Sequence, residues 1–308
     1  MKAKYPISEQ FKPYSQFAMP INRFFIGMTR IFFKTPQFFL NDKDCNVEKK
    51  KIQTFDGKNI TAYLISPKNV GENAPCFINF HGGGFVLDAA KHHYQLALKY
   101  AKECNCKVMF VKYRLAPKYK FPFAFEDCYS TLSYVYDNAE ELGINKKNIA
   151  VGGDSAGGTL SVATCMMAND RNHPVKVRFQ MLSYPFLDGR CSSRSSKKYI
   201  DTPMWNSTLS KKVTPLFLPN LDVNNVKYAS PMQIKDLSCM PTSYIETAEF
   251  DSLHDDGILF NKRLIHSGIK TELNQTKGTM HGFDICHEAP ITQEAIKKRI
   301  NFMQKHFA

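Results

Sequence analysis

From residue 75 onward, short unbroken apolar runs alternate with longer stretches whose apolar positions recur at helical spacing. Cys76-Phe77-Ile78-Asn79-Phe80, Cys106–Tyr113, Asn148–Gly152, Val177–Ser183, Thr242–Thr247 and Thr271–Gln275 read as strands. Residues 89–104, Phe125–Leu142 (closed by Gly143), Ala156–Asn169, 255–267 and 290–306 read as helices. Continuous apolar strands interleaved with helices predict an α/β fold, a mostly parallel sheet covered on both faces. Ahead of this region, Val47–Phe55 and Ile60–Ser66 are strand-like and joined through Asp56-Gly57, a strong hairpin signal. Residues 1–42 predict helix broken at Pro6, Pro13, Pro20 and Pro36. Pro20 suits a helix start, and Phe24, Phe25, Met28, Ile31 and Phe32 follow at helical spacing. Residues 188–224 break the alternation: they are rich in Ser, Lys and Asn and hold the only tryptophan, Trp205. We read them as an insertion over the strand tips that forms a lid with residues 1–42. The expected organisation is a cap segment at 1–42, half of the core at 43–187, a cap insertion at 188–224 and the rest of the core at 225–308, all one domain.

Composition narrows this picture. A chain of 308 residues with 43% hydrophobic content suits a single α/β core with insertions. Nine cysteines, an odd number scattered through apolar runs, read as reduced and buried, which favours a cytoplasmic location. Cys104-x-Cys106 has no second pair at metal-ligand spacing, so neither a metal nor another cofactor is expected. No apolar core follows the first basic residues, so no signal peptide is read. The stretch from Phe17 to Phe33 contains Arg23 and Arg30 and is too polar to span a membrane.

Net charge is +13, and residues 1–51 carry ten Lys and Arg against four Asp and Glu. That segment also holds Phe24, Phe25, Phe32, Phe33, Phe38 and Phe39. A cap with an inward aromatic face is the favoured reading, and weak contact with an anionic membrane surface is the alternative. Nucleic-acid binding is not expected, because no recognition motif accompanies the charge. Oligomeric state has no signal in the sequence.

The chemistry concentrates in two glycine-rich fragments. Gly153-Asp-Ser155-Ala-Gly157-Gly follows a strand and opens a helix. That is the setting of a nucleophile elbow, a strained turn that pushes a serine hydroxyl out at its tip. His81-Gly82-Gly83-Gly84 follows an earlier strand and offers unhindered backbone N–H groups to a developing oxyanion. A serine hydroxyl is a poor nucleophile at neutral pH and needs a base that is itself oriented by a carboxylate. Where a nucleophile elbow carries the serine, the acid and then the histidine come later in the chain. Asp251 stands just past the strand Thr242–Thr247, and His281 sits in a glycine-flanked loop past Thr271–Gln275. Asp255 and Asp256 are read as opening the next helix, where acids suit the helix dipole. His81 is read as a brace for its loop, Asp154 as structural, and the pair His92-His93 as a helix surface.

These residues resemble the hormone-sensitive-lipase-like family of α/β-hydrolases across about residues 75–285. The resemblance rests on His81-Gly-Gly-Gly-Phe85, Tyr113-Arg-Leu-Ala-Pro117, Phe121-Pro122, Glu126-Asp127 and Gly153-Asp-Ser-Ala-Gly-Gly158. It continues through Ser183-Tyr-Pro185, Ala229-Ser-Pro-Met232, Thr247-Ala-Glu-Phe-Asp251 and His281-Gly-Phe283. It implies an eight-stranded sheet with a helical cap and hydrolysis of carboxylic esters. It further implies Ser155 as nucleophile, His281 as base, Asp251 as orienting acid, and the N–H groups of Gly83, Gly84 and Ala156 as oxyanion donors. Two positions depart from the family pattern: Ser252 stands where proline is common, and Lys118 where an acid is common. The expected substrates are small esters of short to medium acyl chains. A membrane-associated lipase, an amidase or a non-catalytic ligand receptor of the same fold are the alternatives.

Overall fold

The computed structural model describes residues 4–32, 39–218 and 226–308. Eight strands form a sheet: β1 (Cys45–Gln53), β2 (Asn59–Pro67), β3 (Ala74–Phe80), β4 (Lys107–Lys112), β5 (Ile144–Asp154), β6 (Phe179–Ser183), β7 (Thr242–Phe250) and β8 (Thr271–Met280). Their order is β1-β2-β4-β3-β5-β6-β7-β8. Only the β1–β2 and β2–β4 pairs are antiparallel; from β4 to β8 every pair is parallel. The helices are α1 (Arg23–Phe32), α2 (Lys91–Glu103), α3 (Phe123–Asp137), α4 (Ala156–Asp170), α5 (Arg194–Lys198), α6 (Ser207–Phe217), α7 (Val226–Ala229), α8 (His254–His266) and α9 (Pro290–Phe307).

Strand alternation sorts the core into two layers. Cys76, Ile78 and Phe80 of β3, with Met109 and Val111 of β4, face a layer built from α3, α4 and α8. Phe77, Val108 and Phe110, one residue out of step, face α2 and α9. Both layers exclude water, which is why these strands read as unbroken apolar runs rather than alternating ones. Each fully buried Phe or Leu contributes about 1.5–3 kcal/mol. The Asp56-Gly57 turn closes the β1–β2 hairpin, and Arg114 ties that turn to α3 by pairing with Asp56 at 2.7 Å and with buried Asp127 at 2.6 Å.

The structure corrects several element boundaries. The helix expected to run to Leu142 ends at Asp137; Asn138 turns its side chain back to the Tyr134 carbonyl. Residues 138–143 then coil so that Leu142 stays buried, which mimicked helical periodicity. β8 continues past Gln275 to Met280, and its polar residues belong to an edge strand with one neighbour among the described residues. In residues 1–42, the described helix is limited to a 3₁₀ turn at Glu9–Tyr14 and to α1. The amide of Phe25 is capped by Asn22 at 2.8 Å, so Asn22 rather than Pro20 opens α1. Its inward face carries Ile26 and Thr29, while Phe24 points to solvent at 79% exposure. Phe33, Phe38 and residues 219–224 of the expected insertion lie outside the described residues, as do the side chains of Ile31 and Phe32.

The N-terminal stretch bonds directly to two distant segments. The Met204 amide donates to the Phe17 carbonyl at 2.6 Å, and the Ser8 amide to the Gly278 carbonyl at 2.9 Å. Among the described residues no helix is long and apolar enough to cross a membrane.

Candidate active site

β5 ends one residue before Ser155, and α4 begins one residue after it. The reversal holds Ser155 at φ 53° and ψ −115°, a conformation that strains any residue with a Cβ. Two hydrogen bonds fix the turn: the Ser155 amide donates to the Ser183 carbonyl at 2.9 Å, and the Phe186 amide to the Ser155 carbonyl at 3.0 Å. A Cβ on Gly153 or Gly157 would run into the Phe80 carbonyl oxygen, so only glycine lets β3 and α4 approach this closely. β3 and β5 are neighbours, with Phe80 opposite Gly153. The loop after β3 therefore emerges beside Ser155.

The other two side chains arrive from the adjacent strands β7 and β8. An irregularity between Ala248 and Phe250 sets Phe250 opposite Met280. Asp251 and His281, the next residue of each strand, thus leave the sheet together. His281 Nδ1 lies 2.7 Å from Asp251 Oδ2 and Nε2 lies 2.9 Å from Ser155 Oγ. Asp251 is fully buried, and its other oxygen accepts the Leu253 amide at 3.0 Å. With Nδ1–H donating to the carboxylate, Nε2 is left to accept from the serine hydroxyl. Asp255 instead accepts the Ser195 amide at 2.9 Å. Asp256 is buried in α8, where burial and then the charges of Asp188, Asp255 and Asp251 push it up to about 7 against a hydrogen bond from Ser193. The structure brings together Ser155, His281 and Asp251, and neither of the two later acids.

The loop of residues 81–84 is braced from behind. The Gly82 amide donates to Asp154 Oδ1 at 2.9 Å, and the Gly83 carbonyl accepts from Val86 and Leu87. Gly83 and Gly84 both sit at positive φ, +110° and +60°. Among the described residues, no backbone or side-chain acceptor takes the N–H of Gly83, Gly84 or Ala156. His81 stacks on Tyr113 at 4.4 Å, and the Tyr113 hydroxyl donates to its carbonyl at 2.7 Å. Burial, helped by the charge of His93, lowers His81 to about 4, so it is a neutral brace.

Sequence reasoning misplaced His92 and His93. They do not form a free helix surface: both line the cavity in front of Ser155, and His93 Nε2 lies 3.3 Å from Asp154 Oδ2. Burial would raise the Asp154 carboxyl, but the charge and hydrogen bond of His93 hold it well below the usual carboxylate range. The available signal was position, since these histidines open the first helix after the glycine loop. Tyr184 was also missed as a site residue. Its ring packs edge-on to His281 at 5.0 Å and its hydroxyl donates to Asp284 at 2.6 Å. Asp284 pairs in turn with buried Arg299 at 2.9 Å, and Arg299 also pairs with Glu246.

The cavity in front of Ser155 measures about 270 Å³. Tyr14, Phe17, Met19 and Phe25 of the N-terminal stretch line it with Met204, Trp205 and His281. Among the described residues no group of three His, Cys, Asp or Glu side chains is arranged to hold a metal ion.

A serine held on a strand-to-helix reversal, answered by side chains from two later parallel strands of an eight-stranded sheet, defines an α/β-hydrolase. Comparison with known proteins agrees with the fold. A family model described as alpha/beta hydrolase fold matches residues 77–285, and the chain belongs to that family, the hormone-sensitive-lipase-like group that its motifs resemble. It is 32% identical over 254 residues to the carboxylesterase NlhH of Mycobacterium tuberculosis, covering 81% of this chain and 78% of that protein. It is 34% identical over 211 residues to an arylesterase of Saccharolobus solfataricus, covering 67% of each. The solved structure of a hyperthermophilic esterase from Pyrobaculum calidifontis superposes with a TM-score of 0.86 at 29% identity, over 98% of this chain and 99% of that one.

Proposed function

We propose that this protein is a carboxylic ester hydrolase that works through a covalent acyl-enzyme. One observation carries the reading: hydrogen bonds of 2.7 and 2.9 Å run from Asp251 through His281 to Ser155. Ser155 Oγ attacks the ester carbonyl carbon as its proton passes to His281 Nε2. The Oγ–C bond forms and the carbonyl oxygen takes the negative charge. The amides of Gly83, Gly84 and Ala156, which have no other acceptor among the described residues, receive that oxyanion; one such donor is worth about 3 kcal/mol. The N-terminal end of α4 adds positive potential there. His281 then gives its proton to the alcohol oxygen as the C–O bond breaks. Water repeats the attack, with His281 as base, and frees the acid. Asp251 holds the imidazole in the required tautomer and steadies its cationic form.

The ester chemistry is supported by the relatives, which are named carboxylesterase and arylesterase. Residues 1–42 and 188–224 act in this proposal as one cap, the reading supported by the Phe17–Met204 hydrogen bond and by the five residues from Tyr14 to Thr29 that line the cavity. The nine cysteines are all unpaired thiols, which suits a reducing, cytoplasmic setting. Substrates are esters of short to medium acyl chains.

Ser155→Ala tests the assignment. Ester turnover should fall at least ~10³-fold with the circular dichroism spectrum unchanged. A serine-reactive phosphonate should label the wild-type protein at Ser155 and leave the variant unlabelled. Turnover at the wild-type rate in the purified variant would remove Ser155 from the mechanism.

A further inference from the structure

Among the described residues, Ser155 borders a larger and a much smaller cavity. The larger, about 270 Å³, is lined by His281, Gly282, Met204 and the aromatic N-terminal residues. The smaller, about 10 Å³, is lined by Gly84, Phe85, Phe186, Trp205, Val213 and Phe217. That space holds about one water- or methyl-sized group. The two linings share just Ser155 and Trp205, so the indole is the partition between them.

The partition is buried and hydrogen-bonded in place. Trp205 is 7% exposed and its Nε1–H donates to Ser210 Oγ at 2.9 Å. Its ring edge fills the space that a side chain on Gly84 would need. Behind it, Phe217 packs on Phe85 with ring centres 4.2 Å apart, and Phe85 stacks on Phe125 at 5.6 Å. Walls built from interlocked rings do not open by a simple change of rotamer.

The reaction proposed above assigns one cavity to each arm of an ester, and this assignment rests on it. His281 must hand its proton to the alcohol oxygen, so the alcohol arm leaves on the side of His281. His281 lines the larger cavity and not the smaller. The acyl carbon stays on Ser155 with its oxygen toward the glycine loop, and its substituent is left with the recess beside Gly84 and Trp205. We infer that the enzyme is an acetylesterase for bulky apolar alcohols, and that Trp205 sets the acyl limit. This narrows the acyl range given above. The alcohol arm lies among Phe17, Met19, Phe25, Leu87, Met204 and Ile285, which recognise an aliphatic or aryl alcohol by apolar contact.

The test uses two ester series and two variants. With 1-naphthol as the fixed alcohol, kcat/KM should fall at least about tenfold from acetate to hexanoate, since a single methylene that does not fit costs about 10–200-fold. With acetyl as the fixed acid, hexyl and benzyl acetate should exceed ethyl acetate. Trp205→Ala should raise the hexanoate-to-acetate ratio at least about tenfold. Val213→Ala, a smaller change in the same wall, should move it the same way and serves if the larger truncation does not fold. A flat or rising acyl profile in the wild type overturns the inference. So does a ratio unmoved in folded variants. Phosphonate labelling of Ser155 separates the two levels. Labelled enzyme that prefers hexanoate refutes the acyl limit and leaves the serine mechanism standing. Enzyme that is neither labelled nor active on any ester refutes both.

Discussion

Replacing Asp251 by asparagine changes one atom and should nearly abolish turnover, for a reason visible in the hydrogen bonds. The carboxylate is fully buried, with Oδ1 taken by the Leu253 amide at 3.0 Å and Oδ2 by His281 Nδ1 at 2.7 Å. An asparagine side chain has one acceptor oxygen and one donor nitrogen. The Leu253 amide demands the oxygen, so the NH₂ group faces His281. A donor facing Nδ1 forces a lone pair onto that nitrogen and moves the ring proton to Nε2. Nε2 then presents a proton to Ser155 Oγ instead of accepting one. The base is in the wrong tautomer, although every heavy atom is close to its place. Loss of this arrangement is worth about 10³–10⁴ in kcat, or about 4–5.5 kcal/mol of barrier. The assay is kcat/KM on an activated acetate ester, with circular dichroism and thermal melting to confirm folding. Asp255→Asn is the control, because Asp255 caps Ser195 and does not touch His281; its kcat should stay within about threefold of wild type. If Asp251→Asn keeps more than about a tenth of wild-type kcat, or if Asp255→Asn shows the large loss, the tautomer argument is wrong.

Two further substitutions probe the frame around the site. Arg299→Ala strands the buried carboxylates of Asp284 and Glu246 without their cation and should cost about 3–5 kcal/mol in urea unfolding; a loss below about 1 kcal/mol would refute a structural ion pair. Burial pulls His93 down, but the charge and hydrogen bond of Asp154 outweigh it and raise His93 above its ordinary value of 6.5. A raised folded-state value gives stability that is complete below the ordinary value and fades as pH rises through the raised one. The melting-temperature gap between wild type and His93→Gln should therefore be widest near pH 5.5 and shrink toward pH 9, and a gap that ignores pH would contradict the pairing.

The parts legible in the sequence are those where chemistry or close packing allows few residue types. Gly153 and Gly157 announce the elbow because nothing larger fits under the Phe80 carbonyl. The core strands announce themselves because both faces are buried, and the chain order of Ser155, Asp251 and His281 follows from which strands carry them. What stayed hidden depends on contacts distant in sequence. Nothing local shows that His93 will meet Asp154, 61 residues later, or that Trp205 will edge against Gly84. The N-terminal aromatics gave a face but not its direction, because Phe24 and Phe25 are equally apolar and the rest of the fold decides which turns inward. β8 was clipped because an edge strand tolerates the polar run from Thr271 to Lys277.

The sheet order poses a geometric problem that the hidden residues solve. Ser155 follows β5 and His281 follows β8, three strands away. At about 4.8 Å per strand the base must reach back some 14 Å across the tips of β6 and β7. Asp251, at the tip of β7, holds one side of the imidazole. The tip of β6 carries Tyr184, whose backbone turns at φ 36° and whose ring meets the imidazole edge-on. Tyr184 is anchored through Asp284 to Arg299 on the last helix, and Arg299 reaches back to Glu246 inside β7. The bridge from β8 to Ser155 is thus supported at each strand it crosses, by a carboxylate over β7 and a phenol over β6. The buried charge network stabilises the loop that carries His281 through the same contacts that stabilise α9 against the sheet, so weakening Arg299 should misplace the base before it unfolds the chain.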